Sequence, residues 1–505
     1  MTPSKTLQPC DFIILGATGD LASRKLLPAL YMYQLEDRLP PDFQIIAVSN
    51  FDLSAEDFCA HCKGDGVVEN GDGDVNRGYG AVKRFIEAKG VWDEEVWDAF
   101  SRRLYHAEAQ LREPRSDLSK LAEILDRTPS DLRVFYMALP SDLMGPACDK
   151  IRDQGIASER DRVVLEKPIG TSLAGAEQLH RTAVQAFSED NIYRIDHYLG
   201  KETVHSIPAL RSDSSLLGLL WNHAWVERVE ISVSEKIGAA DRIDYYEAVG
   251  ALRDMAQNHL LQILCLVAME SPESIDKAAL QSAKCNVLKS LSEIEKGDSK
   301  RAQYVAGNGN RGYAEEVAAF HGADDMTRTP YSTQTETFVA LRVRLDDSIR
   351  WKDVPFILRT GKRLEKREAQ VVVHFATSPT SDASVTPERL VIHIQPDDGA
   401  TLFASINGRS SSESAEVPLE LHFPRAFPNI RTPEAYERLL ADVVNGDSSL
   451  FVSAAEVEAS WEWIEKIMDM WNSSNAPDLL FYPAGATGPT IGDWLHDGRA
   501  SKTSG

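Results

Sequence analysis

Hydrophobic and polar positions change rhythm once along this chain, near residue 225. Before that point five short runs are almost wholly apolar: FIIL (12–15), QIIAV (44–48), RVFYMAL (133–139), RVVLE (162–166) and IYRI (192–195), most of them separated by helix-like segments. Strands buried on both faces carry such runs because neither side of the pleat meets water, so a parallel sheet with crossover helices is predicted. The stretch KGDGVVENGDGDVNRGYG (63–80) breaks the pattern with glycines and acids and reads as a surface loop or insertion. Beyond residue 225, ERVEISVSE, TFVALRVRLD, AQVVVHFA, LVIHIQP and VPLELHF include several that alternate apolar with polar, with only turns or loops between many of them. An antiparallel sheet with one solvated or helix-covered face is expected there. One long helix, from about Gly250 to Met269, interrupts it. Near the C-terminus Thr432 and Pro433 open a helix that Asn445 and Gly446 close, and Ser453 with Glu456 makes a capping box. The stripe Trp461, Ile464, Met468, Trp471 has helical spacing and reads as core rather than ligand site.

Composition narrows the setting. At 505 residues the chain exceeds the roughly 250–300 residues at which a single core stops growing, so two domains are expected. A net charge of -23 excludes a general nucleic-acid binder, which needs a cationic footprint, and obliges any anionic ligand to meet a local basic pocket. No charged segment followed by a long apolar run opens the sequence, and LLQILCLVAM (260–269) is too short to span a bilayer. A cytoplasmic location without membrane contact is expected. Six scattered cysteines suit a reducing compartment. Cys59 and Cys62 form a CxxC around His61, but nothing completes a zinc set, so accidental spacing is the favoured reading and no metal is expected.

Four clusters carry candidate chemistry. After the first run, GATGDLASRKLLPALY places Gly16, Gly19 and Ala22 in a GxxGxxA spacing between strand and helix. Small residues there let backbone approach a pyrophosphate at a helix N-terminus; a tight strand-to-helix turn is the plainer reading. Gly16, Ala17, Thr18, Gly19, Asp20 and Leu21 are the candidate cofactor contacts. At the end of the second strand, where an acid favours NAD and a cation NADP, stand Ser49 and Asn50, so charge does not choose between them. Lys167, in EKPIG, follows the fourth run at a strand's carboxyl end, where open α/β sheets bind ligands. In RIDHYLGKE (194–202), a helix continuing past Asp196 would put His197 and Lys201 on one face as donors to an anion, with Tyr198 adding a hydroxyl. A solvated helix start is the competing reading. The third cluster, GALRDMAQNHLLQIL, loads a largely buried helix with Arg253, Asp254, Gln257, Asn258 and His259, so several of these polar groups are expected to line a cavity; His259 reads as either a satisfied core histidine or a base. The last, VPFILRTGKRLEKREAQ, gathers cations from Arg359 to Arg367: a solvated turn, or a place to neutralise phosphate.

In this order GxxGDLA, EKPxG, RIDHYLGKE, GALRDMxQNH and VPFxLRTGK resemble the glucose-6-phosphate dehydrogenase family, from Phe12 to about Trp471. The resemblance implies an α/β, Rossmann-like dinucleotide-binding domain (1–195) and a β+α domain (196–505) that binds substrate and dimerises through a large, mostly antiparallel sheet. It implies oxidation of glucose 6-phosphate at carbon 1 to the lactone, the first oxidative step of the pentose phosphate pathway, with NADP as cofactor and NAD as the alternative. His259 would be the general base and Asp196 its orienting acid. Lys167 would contact both substrate and cofactor, and His197, Tyr198 and Lys201 would grip the phosphate. Glu235, Asp254, Lys362 and Arg367 would meet the sugar hydroxyls or complete the pocket. A homodimer or homotetramer is implied. Asn50 departs from the arginine many relatives place for the 2′-phosphate, and Met144 from the tyrosine of some. Much of the extension with which some eukaryotic members hold a second NADP is missing, and no such site is expected. A dehydrogenase of another sugar phosphate and a non-catalytic nucleotide-binding protein are the alternatives.

Overall fold

A computed structural model describes residues 6–64, 68–69, 75–76, 82–113, 116–127, 130–239, 242–271, 276–322, 332–346, 348–377, 387–407, 414–422, 431–492 and 494. The chain divides into one unit of Met1–Gly200 with Pro433–Val457 and another of Lys201–Thr432 with Glu458–Gly505. The expected division, 1–195 and 196–505, placed Pro433–Val457 in the second domain.

In the first unit six parallel strands, β1 (Asp11–Leu15), β2 (Gln44–Ser49), β3 (Leu104–Glu108), β4 (Arg133–Met137), β5 (Arg162–Leu165) and β6 (Ile192–Arg194), form a sheet of order β3-β2-β1-β4-β5-β6. This is the order of a doubly wound dinucleotide-binding sheet. The period of two sends Phe12, Ile14, Ile45, Val134 and Tyr136 to one core and Ile13, Leu15, Ile46, Phe135 and Met137 to the other, which explains the unbroken apolar runs. The helix Ala435–Asn445 joins the first core through Leu439, Leu440, Val443 and Val444. Arg162 donates to the carbonyls of Val443 and Val444 at 2.8 and 2.7 Å, and left-handed Gly446 (φ 81°) closes that helix as expected. These contacts tie the late segment to the first unit. Strand β3, LYHAE, was not expected, because its edge position leaves three of its five side chains half-buried and therefore free to be polar. Most of the 63–80 segment lies outside the described residues; Val68–Glu69 pairs with Val75–Asn76 in a short antiparallel ribbon.

Among the described residues the second unit carries nine strands: β7 (Val226–Ser234), β8 (Ser299–Val305), β9 (Phe338–Val343), β10 (Phe356–Gly361), β11 (Glu368–Phe375), β12 (Arg389–Gln395), β13 (Gly399–Asn407), β14 (Ser414–His422) and β15 (Leu479–Pro483). Their order is β14-β13-β12-β11-β7-β10-β9-β8-β15, antiparallel except for β7 with β10 and β8 with β15. β11 alternates half-buried with buried side chains along its whole length, as its sequence predicts. The Ser453–Glu456 box forms, each side chain accepting the other's backbone N–H at 3.3 and 3.2 Å, and starts the helix Ala454–Asn472.

Candidate active site

The turn after β1 is shaped by glycine. Gly16 is left-handed (φ 87°), and a Cβ there would lie 2.3 Å from the Ala138 carbonyl oxygen. Gly16 and Ala17 donate to the Val48 carbonyl at 2.8 and 3.0 Å, and Gly19 donates back to Gly16 at 3.0 Å. Ala22 is fully buried where the chain enters the helical stretch that leads to Leu27–Leu35. Thr18 and Leu21 are half-buried, and Gly19 and Asp20 face outward. A turn bared by two glycines at a strand's carboxyl end, opening a helix, fits a dinucleotide pyrophosphate.

At the end of β2, Ser49 turns inward to His106 (2.9 Å). Asn50 is exposed, and its carbonyl accepts from Gln110 at 2.7 Å. Sequence reading found no charge at this strand end, yet the fold supplies one. Lys120 lies 2.9 Å from Asp52 and 2.7 Å from Glu108. Nothing local in sequence signals it, because Lys120 sits on a helix reached only after β3. Met144 is buried in the sheet's second core.

Past β5, the carboxylate of Glu166 is buried, and it accepts from the Tyr136 hydroxyl (2.5 Å), the Lys167 N–H (3.2 Å) and the Tyr436 hydroxyl (3.3 Å). Burial raises its pKa against the pull of these donors. Lys167 is thereby fixed at its backbone while its side chain stays partly exposed. The Tyr436 ring stacks on His197, centroids 6.2 Å apart. Tyr436 was not anticipated; it arrives on the helix that returns to this unit. Arg194, 2% exposed, pairs with Glu189 at 3.0 Å and is structural.

The expected helix past Asp196 does not form there. The Asp196 carboxylate accepts the Tyr198 N–H at 2.9 Å, Leu199 N–H closes a turn on the Asp196 carbonyl at 3.0 Å, and helix begins only at Glu202. An aspartate side chain that captures a backbone donor two residues on competes with helix. The helical spacing assumed for His197 and Lys201 is therefore absent. Asp196 and Tyr198 are buried, and His197 is half-buried.

In the second unit the helix bearing His259 is anchored at both ends. At its start Gly250 is left-handed (φ 67°), and Glu336 fills the space a Cβ would need, 2.4 Å from its carboxylate. Glu336 accepts the Leu252 N–H at 2.9 Å through that carboxylate and the Ala251 N–H at 3.0 Å through its carbonyl. At the other end three buried side chains take successive carbonyls: Arg211 to Leu266, Trp221 to Val267 and Trp351 to Ala268, each at 2.8 Å. Between them Leu252–Leu260 is π-helical. Its i→i+5 bonding brings residues five apart, such as Asp254 and His259, round toward one face. His259 is fully buried and Asp254 is 6% exposed. Of the other polar groups expected to line a cavity, Gln257 donates to Ser460 (3.0 Å), Arg253 to the Val249 carbonyl before the Gly250 kink, and Asn258 to the Arg253 carbonyl of its own helix.

The cation cluster of 359–367 disperses. Lys362 turns to Glu235 (2.5 Å) and Asp254 (3.8 Å), and Asp254 also accepts the Tyr245 hydroxyl at 3.2 Å. Arg359 donates to the Thr487 carbonyl and Arg363 to Glu316, whereas Lys366 and Arg367 are exposed. Lys201 donates to Gln395 at 3.0 Å. A lysine between two carboxylates leaves acceptor lone pairs to spare, the complement of sugar hydroxyls.

The CxxC lies on the helix Ala55–Lys63. Burial pushes the Cys59 thiol up to about 11 and raises the Cys62 thiol well above its ordinary value, which disfavours the reactive thiolate in both. Among the described residues no helix is long and apolar enough to cross a membrane.

Residues 13–206 match the family described as "Glucose-6-phosphate dehydrogenase, NAD binding domain", and residues 208–501 match "Glucose-6-phosphate dehydrogenase, C-terminal domain". The chain is 38% identical to glucose-6-phosphate 1-dehydrogenase of Mycolicibacterium smegmatis, over 99% of this chain and 98% of that one. It is also 38% identical to the Rhizobium meliloti enzyme, over 96% and 95%. A solved glucose-6-phosphate dehydrogenase in complex with glucose 6-phosphate superimposes with a TM-score of 0.84 at 27% identity, covering 98% of each chain. On this evidence of sequence and fold together, the chain belongs to the glucose-6-phosphate dehydrogenase family and binds a nicotinamide dinucleotide.

Proposed function

We propose that the protein oxidises glucose 6-phosphate at carbon 1 to 6-phosphoglucono-lactone, with NADP as cofactor. The observation that carries this is that both halves of the chain belong to one family while the five motifs stand intact. A bound nicotinamide supplies the hydride acceptor. His259 takes the proton of the anomeric hydroxyl, and Asp196 orients the imidazole and stabilises its protonated form; a positioned base of this kind contributes on the order of 100 to 10,000-fold. His197, steadied by Tyr436, joins Tyr198 and Lys201 on the phosphate, and Lys167 meets substrate and cofactor. Glu235, Asp254 and Lys362 hold the sugar hydroxyls, with exposed Arg367 completing the pocket. Gly16, Ala17, Thr18, Gly19, Asp20 and Leu21 cradle the dinucleotide, with Ser49 and Asn50 at its ribose end.

NAD is the second reading for the cofactor. Asn50 carries no charge, and Lys120, paired with Asp52 two residues further on, is already held by two carboxylates, which weakens the case for a 2′-phosphate site. Following absorbance of the reduced nicotinamide with glucose 6-phosphate and either dinucleotide tests both points. No turnover by folded protein with either one overturns the proposal, and faster turnover of galactose 6-phosphate or free glucose reassigns the substrate. Leu419 and Leu421, exposed on edge strand β14, support a homodimer through the large sheet, with a homotetramer as the alternative; sedimentation decides. The proposed location is the cytoplasm, in keeping with six scattered cysteines in a chain of this length.

A further inference from the structure

Lys362 can serve a sugar only if its ammonium and the Glu235 carboxylate stand in fixed register, and both come from loops. Those loops are laced by backbone: Glu235 N–H donates to Gly361 (2.9 Å), Leu364 N–H to Glu235 (2.9 Å) and Arg363 N–H to Ile237 (3.2 Å). The Lys362 turn is also tied to its domain through its main chain, the Lys362 N–H donating to the Thr337 carbonyl at 2.9 Å and the Lys362 carbonyl accepting the Tyr482 hydroxyl at 2.6 Å. Arg363 adds a side-chain tie. It has a left-handed backbone (φ 51°), unusual for a residue with a Cβ, so its side chain leaves the turn on a different course from that of Lys362. Its guanidinium donates to Glu316 at 2.7 Å and to the Asn310 side chain at 3.1 Å. Glu316, 7% exposed, lies on the helix Tyr313–Phe320 and takes the Tyr304 hydroxyl of β8 on its other oxygen at 2.5 Å. The same hydroxyl accepts the Ala239 N–H at 3.3 Å, at the end of the Glu235 loop. Gly238 lets the network close, since a Cβ there would lie 2.5 Å from Arg363 Nε and 2.9 Å from the Tyr304 hydroxyl.

We propose that Arg363 is a positioning residue for sugar recognition, bolting the Lys362 turn and the Glu235 loop to the Tyr313–Phe320 helix and β8 through Glu316 and Tyr304. It touches neither substrate nor cofactor. The inference rests on the assignment of Lys362 and Glu235 to the sugar in the proposed function. Small displacements of such groups are costly, since misplacement by about 1 Å can cost on the order of 100-fold.

Binding of glucose 6-phosphate without dinucleotide, measured by calorimetry, and steady-state kinetics on Arg363→Met, Arg363→Lys, Glu316→Gln and Lys362→Ala test it. Arg363→Met should weaken sugar phosphate binding and raise its KM about tenfold, with cofactor KM changed less than about twofold. Arg363→Lys, which keeps the ion pair but loses the fork, should recover part of the loss, and Glu316→Gln should lose binding in the same direction. A lowered melting temperature in Arg363→Met with sugar affinity unmoved overturns the inference. Should that variant not fold, Asn310→Ala and Glu316→Gln each remove one bond of the network, and unchanged sugar affinity in both overturns it equally. Lys362→Ala separates the two ideas. A large effect there beside a silent Arg363→Met sinks the positioning role alone, whereas unchanged affinity in Lys362→Ala sinks the reading of the pocket on which it stands.

Discussion

At the turn after β1 the chain keeps side chains out of the way, whereas around the helix bearing His259 it packs polar side chains in and then has to hold them. Gly16 works by lacking a Cβ, and its distant partners, the Val48 and Ala138 carbonyls, are main-chain groups that any side chain there would leave in place. The His259 helix needs Glu336 at one end and Arg211, Trp221 and Trp351 at the other, drawn from a long span of the chain. A backbone site is thus specified by its own glycines and by main chain, and tolerates side-chain change in distant residues. A side-chain site is specified by its supports, and it is open to damage from places that carry no chemistry.

The strongest way to break the comparison is at the base itself. His259→Asn should lower kcat on the order of 100 to 10,000-fold while sugar phosphate affinity stays near the native value. Undiminished turnover would remove His259 from the chemistry and leave its helix with Asp254 alone to position. Next comes the turn. Gly16→Val meets both a backbone conformation that costs about 1–3 kcal/mol for a residue with a Cβ and a 2.3 Å contact with the Ala138 carbonyl. The expected result is a melting temperature lowered by several degrees together with lost dinucleotide binding by fluorescence titration. A stable variant that binds dinucleotide normally would show that the turn is not a backbone site.

Glu336 probes the supports with a smaller effect. Glu336→Ala leaves the Leu252 N–H without its acceptor and should cost about 1–3 kcal/mol by denaturant unfolding. Glu336→Gln keeps an acceptor and should cost less. The pH dependence separates them further, because burial raises the Glu336 pKa above its ordinary 4.5. A carboxyl raised on folding contributes stability that is present below the unfolded value and is lost as pH rises through the folded one. Native protein should therefore lose stability over that interval relative to Glu336→Gln, and parallel profiles would show that the carboxyl does not titrate differently on folding.

The same contrast explains what could be read from sequence. The sheet strands buried on both faces announce themselves as apolar runs, and Gly16 and Gly19 by their spacing in the turn, because in each case the determining residues are neighbours. β3, β8, β10, β13 and β15 were not foreseen: LYHAE, SKRAQYV, GATLFASIN and LLFYP lie at or beside sheet edges, where half-exposed positions dilute the pattern, while the central FILRTG was read only for its cations. Tyr436, Glu336 and Lys120 were missed for a different reason. Each is an ordinary residue in an ordinary element, and only the fold carries it to a motif. The RIDHYLGKE helix was misjudged because Asp196 spends its side chain on the Tyr198 N–H, a local competition that spacing does not reveal.

The smallest expected effect sharpens the comparison at the one place where the two kinds of site meet, the end of β2. Asn50 is exposed there, and Lys120, the cation the fold brings to Asp52, is shared between Asp52 and Glu108. Asn50→Arg adds a cation that those acids do not already hold. A new charge-assisted contact to a 2′-phosphate is worth about 1.5 kcal/mol, so the ratio of kcat/KM for NADP to that for NAD should rise about tenfold. The gain should shrink with added salt, as an exposed ion pair requires, because screening acts at about 10 Å in 0.1 M salt. Lys120→Gln should move the ratio less, and toward NAD, since it removes a cation already paired with Asp52 and Glu108. An unchanged ratio in Asn50→Arg at low salt would mean that residue 50 does not face the ribose, and that the cofactor's selectivity is set by side chains brought in from elsewhere, as in the second unit.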